Sequence, residues 1–355
     1  MSKSVVINQI PSPTWSWLKM DNASLDVESE LITVEPKISH IQNCVRDDSL
    51  SIDNLSVKFT SGIGKEADNF FKDNKSIGLI IPVNTKTEEP IVLAYDLSSK
   101  KSTLTSQKII AEKNSEATII ILSENSNDSE VFQVLKTQIV AKEGAVLNLF
   151  KVQLLSDKSI QIDESSTYTF ENANVNVKHI VLGGAKTFVG VGTELREYKS
   201  SFTSDMAYLC QNNQELDLNY IVNHYGKKTS CSMFVNGTLR DKAKKTYRGT
   251  IDFKLGCSGS EGEEQEETLL LSPEVVNNSI PVILCDEEDV AGEHGASIGR
   301  LSDEMLFYMQ SRGIEKTEAE NAIARSKIQR IVSLIKNEEV VSTIEKYMLG
   351  VFGDI

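Results

Sequence analysis

The chain has 355 residues, 40% hydrophobic and 25% charged, which is enough apolar material for a sizeable core and excludes wholesale disorder. Asp and Glu total 51 against 37 Lys and Arg, a formal charge of -14 that repels phosphate backbones and argues against nucleic acid as a partner. The five cysteines (Cys44, Cys210, Cys231, Cys257 and Cys285) include no CxxC pair, so they form neither a disulfide framework nor a zinc ribbon. The opening MSKSVVINQIPSP has no apolar stretch of signal-peptide type, and apolar runs such as Ile119–Leu122 fall far short of a membrane span. The expectation is a cytoplasmic protein with reduced thiols and no membrane partner.

Three zones follow in order. Residues 1–75 are expected to be partly helical, with a short helix near Lys65–Lys72 carrying Ala67, Phe70 and Phe71. Trp15 and Trp17 share one face of an extended stretch and are expected to pin this arm to its own domain. Residues 76–300 read as a succession of short strands, among them Ile77–Val83, Ile91–Tyr95, Val131–Val140, Val146–Leu154, Val175–Leu182, Leu216–Val222 and Thr246–Leu255, punctuated by Gly, Asn, Asp and Ser. Both parities of Val146–Leu154 are apolar, so that strand is expected to be buried on both sides. No helix-period segment interrupts the zone, which leaves a sandwich, a barrel or a β-helix; a strict hexapeptide repeat is absent.

Residues 301–355 turn helical. Ser302 with Asp303 and Glu304 opens one helix, and Gly313 ends it. Thr317-Glu318-Ala319-Glu320 reads as a capping box before a helix with Ile323, Ile328, Ile331 and Ile335 on its apolar side. A last helix is expected over about Glu339–Leu349.

Chemistry-bearing motifs are few. Gly183-Gly184-Ala185-Lys186-Thr187 and Ser61-Gly62-Ile63-Gly64-Lys65 both lack the first glycine of a P-loop, so the nucleotide of any ATP-driven step belongs to a partner. There is no HExxH helix. His179 and His224 share strand parity with apolar neighbours and are expected to face a core. The acidic run Glu261–Glu267 reads as a solvated loop. His294 stands out in Gly292-Glu293-His294-Gly295, where imidazole is a ligand suited to iron and the adjacent Glu293 carboxylate could fix its tautomer.

Leu269-Leu270-Leu271-Ser272-Pro273-Glu274, Pro281-Val282-Ile283-Leu284, Asp289-Val290, Glu293-His294-Gly295-Ala296-Ser297-Ile298-Gly299 and Leu306-Phe307-Tyr308-Met309-Gln310-Ser311-Arg312-Gly313-Ile314 together resemble the C-terminal signature of the SufB/SufD family. These are scaffold subunits of the SUF iron–sulfur cluster assembly machinery. His224-Tyr225-Gly226, Gly237-Thr238-Leu239-Arg240-Asp241 and Tyr247-Arg248-Gly249-Thr250-Ile251 extend the resemblance upstream. It implies a mainly β fold: a right-handed parallel β-helix core over 76–300, flanked by N-terminal and C-terminal helical regions.

The resemblance also implies a complex with the ATPase SufC, docked on 301–355 through Phe307, Tyr308, Met309, Arg312 and Gly313. Glu266 falls where SufB subunits carry a cysteine, and His-Gly-Ala replaces the SufB His-Glu, so the chain looks more like SufD. Gly292 stands where SufD relatives often have a further cysteine. The expected function is a non-catalytic scaffold that pairs with a SufB-like subunit, holds no stable cofactor by itself, and lends His294, beside Glu293, to a transient iron–sulfur cluster at that interface. The alternatives are a SufB-type scaffold pairing with itself, and a β-helix carbohydrate-active enzyme.

Overall fold

The computed structural model describes residues 3–14, 17–27, 31–52, 55–71, 75–125 and 129–353. Sixteen strands between Ile77 and Gly299 wind into a parallel β-solenoid of eight turns, each turn giving one strand to each of two facing sheets. Ile160 stands beside Lys186 and Lys244 beside Val276, so one turn takes between 26 and 32 residues. Alternation sends one parity of each strand into the space between the sheets. Leu79, Ile109, Ile139, Leu149, Val177 and Val191 fill that space as one apolar cluster.

Turn chemistry sets the coil. Asn84, Asn114, Asn172, Lys199 and Lys228 adopt φ of 54–56°, and Gly144 of 66°, stacked at one corner. Asn tolerates this left-handed region better than most residues. Each amide reaches the next turn, as from Asn84 to the Lys113 carbonyl at 2.9 Å and from Asn114 to the Glu143 carbonyl at 2.9 Å.

Both outer faces are clad. The antiparallel hairpin Lys3–Ile7 and Ala23–Val27 lays Val5, Ile7, Leu25 and Val27 on Leu104, Val134, Ile162 and Phe188 of the first sheet. Below it, backbone meets backbone: a Cβ on Gly62 would lie 2.1 Å from the Val191 nitrogen, and one on Gly190 would lie 2.3 Å from the Ile63 nitrogen. The glycines of Ser61–Lys65 thus serve close packing, not phosphate binding. Buried polar groups lock the arm: Arg248 binds Asp217 at 2.6 Å and the Met20 carbonyl at 2.6 Å, and Asn219 binds the Gly62 carbonyl at 2.7 Å. Trp17 is exposed and Trp15 lies outside the described residues. Among the described residues, helix in the N-terminal zone is a single turn, Lys65–Asp68, followed by a 3-10 turn at Asn69–Phe71.

Helices Lys316–Val332 and Glu338–Phe352 clad the second sheet. Ala324, Ile328, Ile331, Ile344 and Met348 pack on Ile120, Phe150, Val152 and Ile180, so strand Val146–Leu154 is buried on both faces as expected. The expected capping box does not form: the N-cap is Glu315, without a side-chain cap, and Thr317 already lies in the first turn. The last helix starts at Asn337, whose side chain accepts from the Val340 amide at 3.0 Å.

Candidate functional site at the open end of the solenoid

Strands Val276–Cys285 and Val290–Gly299 are the terminal members of the two sheets, each with one edge unpaired. Nine of the ten residues of Val290–Gly299 are exposed, and only Ile280 is buried in Val276–Cys285. Register and alternation then sort the side chains. His294 sits beside Glu264, which in turn sits beside Met233, so His294 faces the inner side at an uncovered end. Glu293 sits beside Glu263 on the opposite face. The two residues that are neighbours in sequence therefore point apart, and the carboxylate sharing a side with the imidazole is Glu264, not Glu293.

The turn beneath His294 contradicts the solvated-loop reading of the acidic run. Residues 261–267 belong to the strand Ser260–Leu270, with Gly262, Glu264, Glu266 and Thr268 turned inward and Glu261, Gln265 and Glu267 exposed. Burial is tolerable because Lys245 pairs with Glu266, their side chains 0% and 1% exposed. Glu266 also accepts from Thr268 at 2.9 Å, from Asn277 at 3.4 Å and from Ser279. Burial alone would raise its pKa; the Lys245 charge and these donors outweigh burial and hold the carboxyl below its ordinary value.

Glu264 goes the other way. Burial, then the neighbouring Glu266 charge, push it up to about 7. Gly249 makes room for it: a Cβ there would stand 2.5 Å from the Glu264 carboxyl carbon. The period-two pattern of alternate acids was visible in the sequence, but a run of like charges suggests solvent unless a buried counter-ion is known, and Lys245 lies on another strand. By the resemblance drawn from the sequence, Glu266 is expected to stand where SufB subunits carry a cysteine. Here it is engaged by lysine and hydroxyls and offers no thiol.

Cys285 is exposed at the open rim, Cys44 is half-buried, and Cys210, Cys231 and Cys257 are buried. His179 and His224 face the interior as expected. His224 Nε2 lies 3.2 Å from the Cys231 sulfur and Nδ1 2.7 Å from the Thr229 hydroxyl. Burial pushes the thiol up to about 12 and the imidazole down to about 3, so the pair is neutral and is not a nucleophile with its base. Among the described residues, no group of three or more His, Cys, Asp or Glu side chains could hold a metal ion.

Beside the open end, helix Asp303–Ser311 is capped by Ser302, which accepts from the Met305 amide at 3.2 Å, and is followed by Gly313 at φ 86°. Phe307 and Tyr308 are 74% and 59% exposed, and Arg312 lies 5.3 Å from the Tyr308 ring centre. Met309 is half-buried. The helix buries no residue of its own. No helix among the described residues is long and apolar enough to cross a membrane.

The family model described as SUF system FeS cluster assembly, SufBD core domain, matches residues 96–327. The chain is 24% identical over 284 residues to the iron–sulfur cluster assembly protein SufD of Bacillus subtilis, covering 77% of this chain and 62% of that protein. It is 22% identical over 226 residues to SufD of Escherichia coli, covering 64% and 53%. A SufBD family protein of Staphylococcus saprophyticus is 23% identical over 271 residues, covering 74% and 57%. The chain thus spans somewhat over half the length of the curated relatives it matches. The solenoid, the match over most of its turns and the relatives agree: the chain belongs to the SufBD family of iron–sulfur cluster assembly proteins.

Proposed function

We propose that this chain is a non-catalytic, SufD-like scaffold subunit of a cytoplasmic SUF assembly complex. One observation carries the reading: the solenoid ends in two ten-residue strands with unpaired edges, and one of them carries an inward-facing His294. An unpaired edge is a template for strand addition. A SufB-like subunit capping this end would enclose His294 without disturbing the clad faces.

An iron–sulfur cluster takes about four ligands, commonly cysteine thiolates. His294 supplies one nitrogen, so the remaining ligands come from the partner, and the cluster is cargo passing through the interface. Helix Asp303–Ser311 offers Phe307, Tyr308 and Arg312, side chains of the kinds that dominate interface energetics. We assign it the docking of a SufC-like ATPase, which supplies the nucleotide chemistry that this sequence lacks.

The test is anaerobic co-expression with SufB and SufC, with subunits, iron and sulfide counted. His294→Ala is expected to assemble with normal stoichiometry and to fail in cluster delivery. Phe307→Ala with Tyr308→Ala is expected to lose the ATPase while keeping SufB. Normal cluster maturation in cells carrying only His294→Ala would remove His294 from the site.

A further inference from the structure

Part of the solenoid interior carries an axial line of polar side chains. Gln107 on Ser102–Ala111 donates to the Tyr95 hydroxyl and accepts from Thr137 at 3.1 Å. Lys151 on Val146–Leu154 donates to Thr137 at 3.2 Å, to Ser165 at 2.9 Å, and to Asp163. Lys151 and Asp163 are almost completely buried. The line then breaks. His179 is the register neighbour of Lys151 one turn on, and its Nδ1 meets the Tyr220 hydroxyl at 3.4 Å. Its Nε2 is fully buried without a partner, and so is the Ser123 hydroxyl.

A small cavity lies at this break, lined among others by Ser123, Lys151, Gln161, Asp163 and His179. It leaves about 10 Å³ open to the centre of a water molecule. That is on the order of the ~10–15 Å³ a single water needs, and apolar cavities stay dry whereas polar ones do not.

We infer that this cavity binds one structural water, which pairs with His179 Nε2 and Ser123 Oγ and joins the Tyr95–Asp163 line to the His179–Tyr220 pair. A neutral imidazole has one donor and one acceptor nitrogen, so Nε2 needs a partner in either tautomer, and water serves both. Burial holds His179 neutral, its pKa pushed well below the ordinary value. Lys151 and Asp163 also line the cavity. The inference concerns the middle of the solenoid and is independent of the role assigned to His294.

A crystal structure of the full chain at better than 2 Å tests it, with a second crystal pressurised with xenon. The expected result is one ordered water within 3.2 Å of both His179 Nε2 and Ser123 Oγ, with no xenon in the cavity. In His179→Leu the water is expected to be lost while Lys151 keeps Asp163. An empty cavity, xenon uptake in the unaltered protein, or a direct Ser123–His179 hydrogen bond would overturn it. The unaltered protein decides the matter even if the variant does not fold.

Discussion

At its N-terminal end the solenoid closes both sheets with short antiparallel strands: Val45–Arg46 on Ile77–Ile81, and Lys37–Ser39 on Ile91–Asp96. Arg46 bonds Asp48 and Glu35 around that edge. At the C-terminal end two strands of ten residues stop with no cover. Short irregular strands and charges are how proteins blunt an edge against association. One end of the same coil is therefore protected and the other is left to be finished by another chain. The interiors differ in step: beneath the closed end lie Leu79, Ile81, Ile91 and Leu93, and beneath the open one lie Lys245, Glu264 and Glu266.

The contrast can be broken most sharply at the open rim. Ile283 and Ile298 are exposed there and turn inward by register. Ile283→Asp with Ile298→Asp is expected to weaken binding of the SufB-like partner by on the order of 4 kcal/mol, near a thousand-fold in Kd. Calorimetric titration against the purified partner reads this. Unchanged affinity would mean that the open end is not the interface.

Next comes pH. The folded Glu264 carboxyl, at about 7, keeps its proton where the unfolded one, near 4.5, has lost it. The folded state then binds more protons, so this group's stabilisation is present below about pH 4.5 and is lost as pH rises through 7, in all by about 3 kcal/mol. Buried His179 and His224, with lowered pKa values, act in the opposite sense below their ordinary 6.5. Comparing thermal melts of the unaltered protein and Glu264→Gln at pH 5 and pH 8 isolates the carboxyl. A difference that does not change with pH would refute it.

The thiols compare the ends directly. Burial pushes Cys44, beside the closed edge, up to about 11, whereas Cys285 is exposed at the open rim. That rise from 9.0 costs Cys44 roughly two decades of thiolate. Cys285, being exposed, is expected to react with a disulfide reagent faster than Cys44, measured by quench and mass spectrometry. Capping by the partner should abolish the difference. The smallest effect is expected for Arg46→Ala, which removes exposed ion pairs and should cost no more than about 1 kcal/mol in urea unfolding. Self-association of that variant would show that Arg46 is what blunts the closed edge.

Strand parity made the inward positions of His179 and His224 legible, and the Ser302 cap and Gly313 marked the ends of one helix. The coil itself was not legible, because its repeat is of turn conformation and not of residue type. Asn84, Asn114, Gly144 and Asn172 recur once per turn, but the spacing drifts and lysine takes over at 199 and 228. Strands Ser102–Ala111 and Ile160–Thr169 do not alternate clearly in sequence, because Gln107, Gln161, Asp163 and Ser165 face inward. The glutamates of Ser260–Leu270 misled for the same reason. A polar interior is invisible in one strand and makes sense only beside its neighbours.

The cladding of both faces bears on how the chain folds. Contacts between successive turns join residues 26–32 apart, so the coil can grow turn by turn at modest loop-closure cost. The arm and the helices are different: Asn8 reaches Asp217 across 209 residues, and Tyr347 reaches Leu155 across 192. Those closures become possible only after several turns exist to receive them. The coil is therefore the template and the two chain termini are its late arrivals. Until they dock, Phe188 on one face and Phe150 on the other stand bare, and in that interval a crowded cell poses the greatest aggregation hazard to the chain.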